Sequence, residues 1–156
     1  MKARLNVFEQ PIAAKAMKHI IAGAKELDAS SLPKSTMELV SLRISQINGC
    51  AYCVDMHTKD AIAAGEDVTR LHLVAAWREA TVFTDAERAA LALAESATRI
   101  ADGGIVSDAV WSDAAAHYSK DDLTALVVLI GFMNTVNRVN VTLQQPAGDY
   151  KPGQFG

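Results

Sequence analysis

Apolar residues recur at helical spacing along nearly the whole chain. Pro11 suits the first turn of a helix, and Ile12, Ala16, Ile20 and Ala24 follow it at one-turn intervals. Ser30 and Ser31 precede Pro33, a second start signal, after which Met37, Val40, Ile44 and Ile47 repeat in the same rhythm. Asn48-Gly49 ends or bends that helix. Another is expected from Cys50 to Ala64, stopped by Gly65, and a shorter one over 67–78 with Leu71, Val74 and Ala75 apolar.

The second half is punctuated by caps. Thr84-Asp85-Ala86-Glu87 reads as a capping box, because Thr84 can take the N3 amide while Glu87 reaches back. The helix it opens carries Ala90, Leu91, Ala94 and Ala97, and Gly103-Gly104 is expected to close it. Ser107 caps the next helix. Ser119 caps the last and longest, with Asp121 and Asp122 near its positive end. Val139 to Leu143 has some strand character but continues the helical run. The longest apolar stretch, Leu123 to Met133, is about 11 residues, roughly half of what a bilayer demands, so it reads as a buried helix.

The pattern predicts an all-α bundle. A single helical domain over 1–145 would be followed by an extended tail, 146–156, whose prolines and glycines resist helix; it would order only by docking. Composition agrees with a core-forming chain of one domain: 156 residues, 50% hydrophobic and 21% charged. A net charge of -3 gives no electrostatic case for nucleic acid or an anionic membrane. The first ten residues hold no apolar core of a signal peptide, so the expected location is the cytosol. Thin Ala-rich layers with this much apolar surface suggest that burial finishes in an oligomer.

Two cysteines do not staple a fold, and three positions apart they would close a trivial loop. Their chemistry matters more. At about 100° per residue Cys50, Cys53 and His57 point to about 0°, 300° and 340°, a shared face near a helix N-terminus. A helix N-terminus and a neighbouring imidazolium both favour a thiolate. Glu38 lies on the preceding helix, and a return at Asn48-Gly49 can bring it to the thiols, where a carboxylate can orient the imidazole or take a proton. The second cysteine, one turn away, can resolve a sulfenic acid as a disulfide.

Simpler readings stand beside this one. Cys50 and Cys53 can pack as small hydrophobes. Together with His57 and Glu38 they can also hold zinc, although a structural zinc site usually shows a second Cys or His pair. Tyr52 can be core or a hydroxyl donor. His19, His72 and His117 read as ordinary surface or core histidines. Asn134, Asn137, Arg138 and Asn140 form a polar cluster late in an apolar helix, read as hydrogen bonding at the helix end or a subunit interface.

The phrase ISQINGCAYCVDMHTKDAIAAGE, with its E-x11-C-x2-C-x3-H spacing from Glu38, resembles the AhpD-like alkylhydroperoxidase and carboxymuconolactone decarboxylase superfamily. The match is strongest over 38–65. The resemblance implies an AhpD-like helical bundle in homotrimers or homohexamers. It also implies a peroxidatic Cys53, a resolving and proton-donating Cys50, and a proton relay through His57 and Glu38. The decarboxylase branch lacks the cysteine pair. Tyr52 stands where the best-characterised peroxidases carry His, which removes one relay group.

The expected activity is therefore a thiol-dependent peroxidase with a peroxide substrate and an external dithiol reductant, requiring no metal, flavin or haem. Two alternatives stay open. One is a carboxymuconolactone decarboxylase-like lyase, which needs a cationic pocket for a dicarboxylate, with Arg43, Arg78 and Arg138 as candidates. The other is a redox-sensing dithiol protein without turnover.

Overall fold

A computed structural model of the chain describes residues 2–154; Met1 and the last two residues of the expected tail, Phe155 and Gly156, lie outside the described residues. Within them there are eight α-helices and no strand: α1 (Pro11–Glu26), α2 (Lys34–Ile47), α3 (Ala51–Ala63), α4 (Val68–Leu73), α5 (Asp85–Thr98), α6 (Ile100–Gly103), α7 (Asp108–His117) and α8 (Lys120–Leu143). The architecture is the all-α bundle expected from the periodicity.

Helix α2 is the axis of the fold. Its Met37, Val40 and Ile44 face one apolar cluster with Ala90, Leu93 and Ala94 of α5, Ala114 of α7 and Leu126 and Ile130 of α8. Its Leu39 and Leu42 face a second cluster with Ala61 of α3, Leu71 of α4, Trp77, Phe83 and Leu91. A helix apolar on two faces has to lie between layers, which explains the near-continuous run LVSLRIS.

The caps form as the residue types demand. Thr84 and Glu87 make the reciprocal capping box, Ser107 accepts from the Val110 amide, and Ser119 accepts from that of Asp122. Asp122 is itself tied down, accepting from Ser119 Oγ at 2.7 Å and Ser31 Oγ at 2.8 Å. Those hydroxyls, Ser119 first, hold its carboxyl below the usual aspartate range.

Three details differ from the expected pattern. Only Met17 of α1 is buried, Ile12 is 88% exposed and Ala16 is exposed, so the predicted stripe is rotated relative to the face that packs. The reason is that α1 meets the bundle along α8, at Gly23, where an added Cβ would lie 3.1 Å from the Phe132 ring; the small residue sets the contact. The 67–78 helix stops at Leu73 and tightens into a 3-10 turn, Val74–Ala76, which carries Trp77 inward. Helix α5 breaks at Arg99 rather than running to Gly103, because beyond Thr98 it leaves the core and Ile100 is half exposed. Val139 to Leu143 is helical.

The tail docks. After α8 the chain reverses at Gln144, in the left-handed region at φ 55°. It then crosses α3, burying Tyr150 at 5% exposure.

Candidate active site

The turn between α2 and α3 builds the site. Asn48 closes α2, and Gly49 follows at φ 67°, a conformation that costs any residue with a Cβ. The Gly49 amide bonds the Gln46 carbonyl at 3.3 Å and the Cys50 amide that of Ser45 at 2.9 Å, a Schellman arrangement. Cys50 is thus the last residue anchored to α2 and also the N-cap of α3. Its sulfur accepts from the Cys53 amide at 3.3 Å. One residue serves two helices, so its sulfur has little freedom.

Cys50 and Cys53 are joined as a disulfide, with Cα atoms 5.3 Å apart. Both are buried, at 1% and 0% exposure. One turn further on, His57 is also buried, and its Nδ1 lies 2.9 Å from Glu38 Oε2. Its other nitrogen, Nε2, is buried with no hydrogen-bond partner among the described residues. Glu38 keeps a third of its side chain in solvent, so the pair links a closed interior to water. The four residues singled out by spacing thus form two pairs on α2 and α3, Glu38 with His57 and Cys50 with Cys53. Among the described residues no group of three or more His, Cys, Asp or Glu side chains converges as a cation site.

Two further features were not readable from the motif. Asn140 of α8 donates from Nδ2 to Cys53 Sγ at 3.3 Å, 87 positions away. Its sequence signal was its place in the polar cluster with Asn134, Asn137 and Arg138. The neighbouring asparagines bond inside the chain. Asn48 Nδ2 donates to Asn134 Oδ1 at 3.1 Å and to Asn137 Oδ1 at 3.0 Å, and Asn137 Nδ2 reaches Ser45 Oγ at 3.3 Å. These bonds pin the α2 end that carries Cys50 onto α8. Arg138 is spent on the Asn134 carbonyl and side chain.

The second feature is the tail. Tyr150 donates its hydroxyl to the Asp60 carboxylate at 2.8 Å, and Lys59 Nζ reaches the Gly148 and Tyr150 carbonyls at 2.9 and 3.1 Å. The Gly148 amide donates to Asp55 Oδ2 at 2.9 Å. Tyr52 meets Tyr150 edge to face, ring centroids 6.3 Å apart, so it faces the tail. Burial first, then Asp55 and Asp60, raise the Tyr52 phenol above its ordinary value.

Two of the three arginines offered for a dicarboxylate pocket share one carboxylate, and the third is exposed. Arg43 and Arg78 both bond the Glu95 carboxylate, with Arg43 Nη2 at 2.5 Å, and Trp77 Nε1 donates to it at 3.0 Å. Glu95 offsets their charge, and Arg138 is engaged with Asn134. Arg43, the least exposed of the three, needs such a partner, and Glu95 supplies it.

Known proteins agree with this architecture. The carboxymuconolactone decarboxylase family model matches residues 11–96. The uncharacterized protein YdfG of Bacillus subtilis is 36% identical over 143 residues, 92% of this chain and 95% of its own length. The uncharacterized protein YnjA of Escherichia coli is 35% identical over 128 residues, 82% of this chain and 69% of its own. A solved structure from Agrobacterium tumefaciens, a protein of unknown function named as a candidate antioxidant defence protein AhpD, superposes with a TM-score of 0.88. It is 34% identical and covers 96% of this chain and 100% of its own. Sequence, fold and the geometry of the α2–α3 junction converge, and the chain belongs to the carboxymuconolactone decarboxylase family as an AhpD-like member.

Proposed function

We propose that the protein is a thiol-dependent peroxidase that reduces an organic or hydrogen peroxide at Cys53 and is reset by an external dithiol. The observation that carries this reading is a buried Cys50–Cys53 pair beside His57, whose Nδ1 is held by Glu38 while Nε2 is left unpaired. The antioxidant role suggested for the Agrobacterium relative points the same way.

The cycle begins with the reduced pair. His57 Nε2, one helical turn from Cys53, takes the thiol proton, and Glu38 stabilises the imidazolium through Nδ1. The Cys53 thiolate attacks the distal oxygen of ROOH. An S–O bond forms and the O–O bond breaks. The departing alkoxide takes the proton back from His57 as ROH, leaving Cys53 as sulfenic acid. Cys50 then attacks the Cys53 sulfur, the S–O bond breaks, and water leaves with the Cys50 proton. An external dithiol supplies two electrons and two protons to reopen the disulfide. Burial of both sulfurs favours the sequence, because the sulfenic acid meets Cys50 before a second peroxide.

The test is peroxide consumption with several peroxides and dithiol donors. Cys53→Ser should abolish turnover, and Cys50→Ser should leave a sulfenic acid that a dimedone probe traps. Unchanged consumption in Cys53→Ser would reject the reading. Activity that survives loss of both thiols would point to a lyase. Reversible disulfide formation without turnover, together with a change of assembly, would point to a redox sensor.

A further inference from the structure

We propose that Asn140 is a further catalytic residue of this site, whose side-chain amide makes Cys53, rather than Cys50, the attacking sulfur. The inference rests on the peroxidase reading and adds to it the reason one of two neighbouring thiols is chosen.

Among the described residues each sulfur has one N–H donor, and the donors differ in kind. Cys50 Sγ accepts from the backbone amide of Cys53, and Cys53 Sγ accepts from Asn140 Nδ2, both at 3.3 Å. The first bond belongs to the N-cap geometry and comes with the helix. The second has to be supplied by a side chain from α8, since Cys53 already lies inside the first turn of α3. A neutral amide donor lowers the energy of a thiolate while bringing no charge of its own into a buried site.

Asn140 is also held where a donor is needed. The chain reversal after α8 closes on it, with the Gln145 amide bonding its carbonyl at 2.9 Å. One turn earlier Asn137 is clamped to Ser45 and Asn48. A partly buried amide is costly unless it is bonded, and this one is bonded to the reacting atom. Of the titratable groups nearby, Tyr52 and Asp55 of α3 face the tail, and His57 of α3 pairs with Glu38 of α2. From α8 the contact is Asn140, which does not titrate.

The experiment isolates Cys53 in a Cys50→Ser background and follows its thiolate absorbance against pH. Asn140→Leu removes the donor and should raise the Cys53 pKa by about one unit. Asn140→Asp, nearly the same size and so the safer variant for folding, puts a carboxylate against the sulfur and should raise it further. Asn140→Gln, which keeps an amide, should recover part of the shift. Circular dichroism confirms that each variant keeps its helices. Superimposable titration curves for the folded Asp and Leu variants and their parent would overturn the proposal.

Peroxide-driven sulfenic acid formation, measured on the same proteins, separates the two claims. Shifted pKa values without any reaction would sink the peroxidase reading and uphold the action of Asn140 on Cys53. An intact reaction with unshifted curves would do the reverse.

Discussion

His57 is gripped by Glu38 through one ring nitrogen, at 2.9 Å, while its other nitrogen is buried and unpaired. A grip on Nδ1 fixes both the ring plane and the tautomer, so that Nε2 is the atom left to exchange a proton. Glu38→Gln should therefore lower kcat/KM for peroxide by tenfold or more, in keeping with the roughly 10²–10⁴-fold worth of positioned acid–base groups. Its helix content should be unchanged, since a third of the Glu38 side chain is in solvent. A peroxide rate equal to wild type would remove Glu38 from the proton route.

Glu95 should be a stability residue whose worth depends on pH. Burial pushes its carboxyl up, and the bonds from Trp77, Arg78 and Arg43 outweigh burial and hold it below the usual carboxylate range. The charged form is thus favoured by folding. Its contribution is full above the unfolded value of about 4.3 and is lost as pH falls through the lower folded value. Glu95→Gln should cost on the order of 3 kcal/mol in urea unfolding at neutral pH, mostly through the buried Arg43 arm, because Arg78 is largely exposed. The gap should close in acid. An equal gap at every pH would show that the charge plays no part.

Tyr150 should act as the latch of the tail. Burial, then its bond to Asp60, push its phenol up to about 12. The protonated form is the one bonded in the folded chain, so the latch is intact below the free value of about 10 and loosens as pH rises through the folded one. Tyr150→Phe should cost about 1 kcal/mol locally. Amide exchange over 148–154 should then quicken about fivefold while α2 and α5 stay protected. Unchanged exchange there would mean that ring burial alone holds the tail.

The outer face of α8 and its neighbours should be covered in solution. Val127, Val128, Val141, Ile100 and Ile105 are all exposed. An open groove lined by Ile100, Val127, Ile130 and Gly131 lies among them. The groove also takes in Thr98, Asn134 and Arg138, and such exposed apolar side chains beside polar ones suit an interface. A homotrimer or homohexamer is the expected state, and Val128→Lys should lower its mass by light scattering. A wild-type mass of 16.7 kDa would refute the assembly.

Local features were legible because they depend on neighbours along the chain. A serine before an acidic turn caps a helix whatever surrounds it, as Ser107 and Ser119 do. Helical phase put Cys53 and His57 on one face without reference to the rest of the fold. Gly49 implied a sharp return, and the return brought Glu38 to His57. The stripe on α1 misled, because Ile12 and Ala16 satisfy the period while the packed side is chosen by where α8 presents Phe132.

The sequence by itself determined most of the helices, several of their caps and the phase that puts Cys53 and His57 on one face, all set by a 3.6-residue period and by caps within a few positions. Tertiary structure decided which distant groups complete the site. It set Asn140 against Cys53, joined Arg43 and Arg78 through Glu95, and laid Tyr150 across α3 beside Tyr52. Those pairs are separated by 17 to 98 positions, and no local periodicity reaches so far. Their meeting depends on how whole helices stack, and stacking is governed by the summed burial of two apolar clusters on either side of α2.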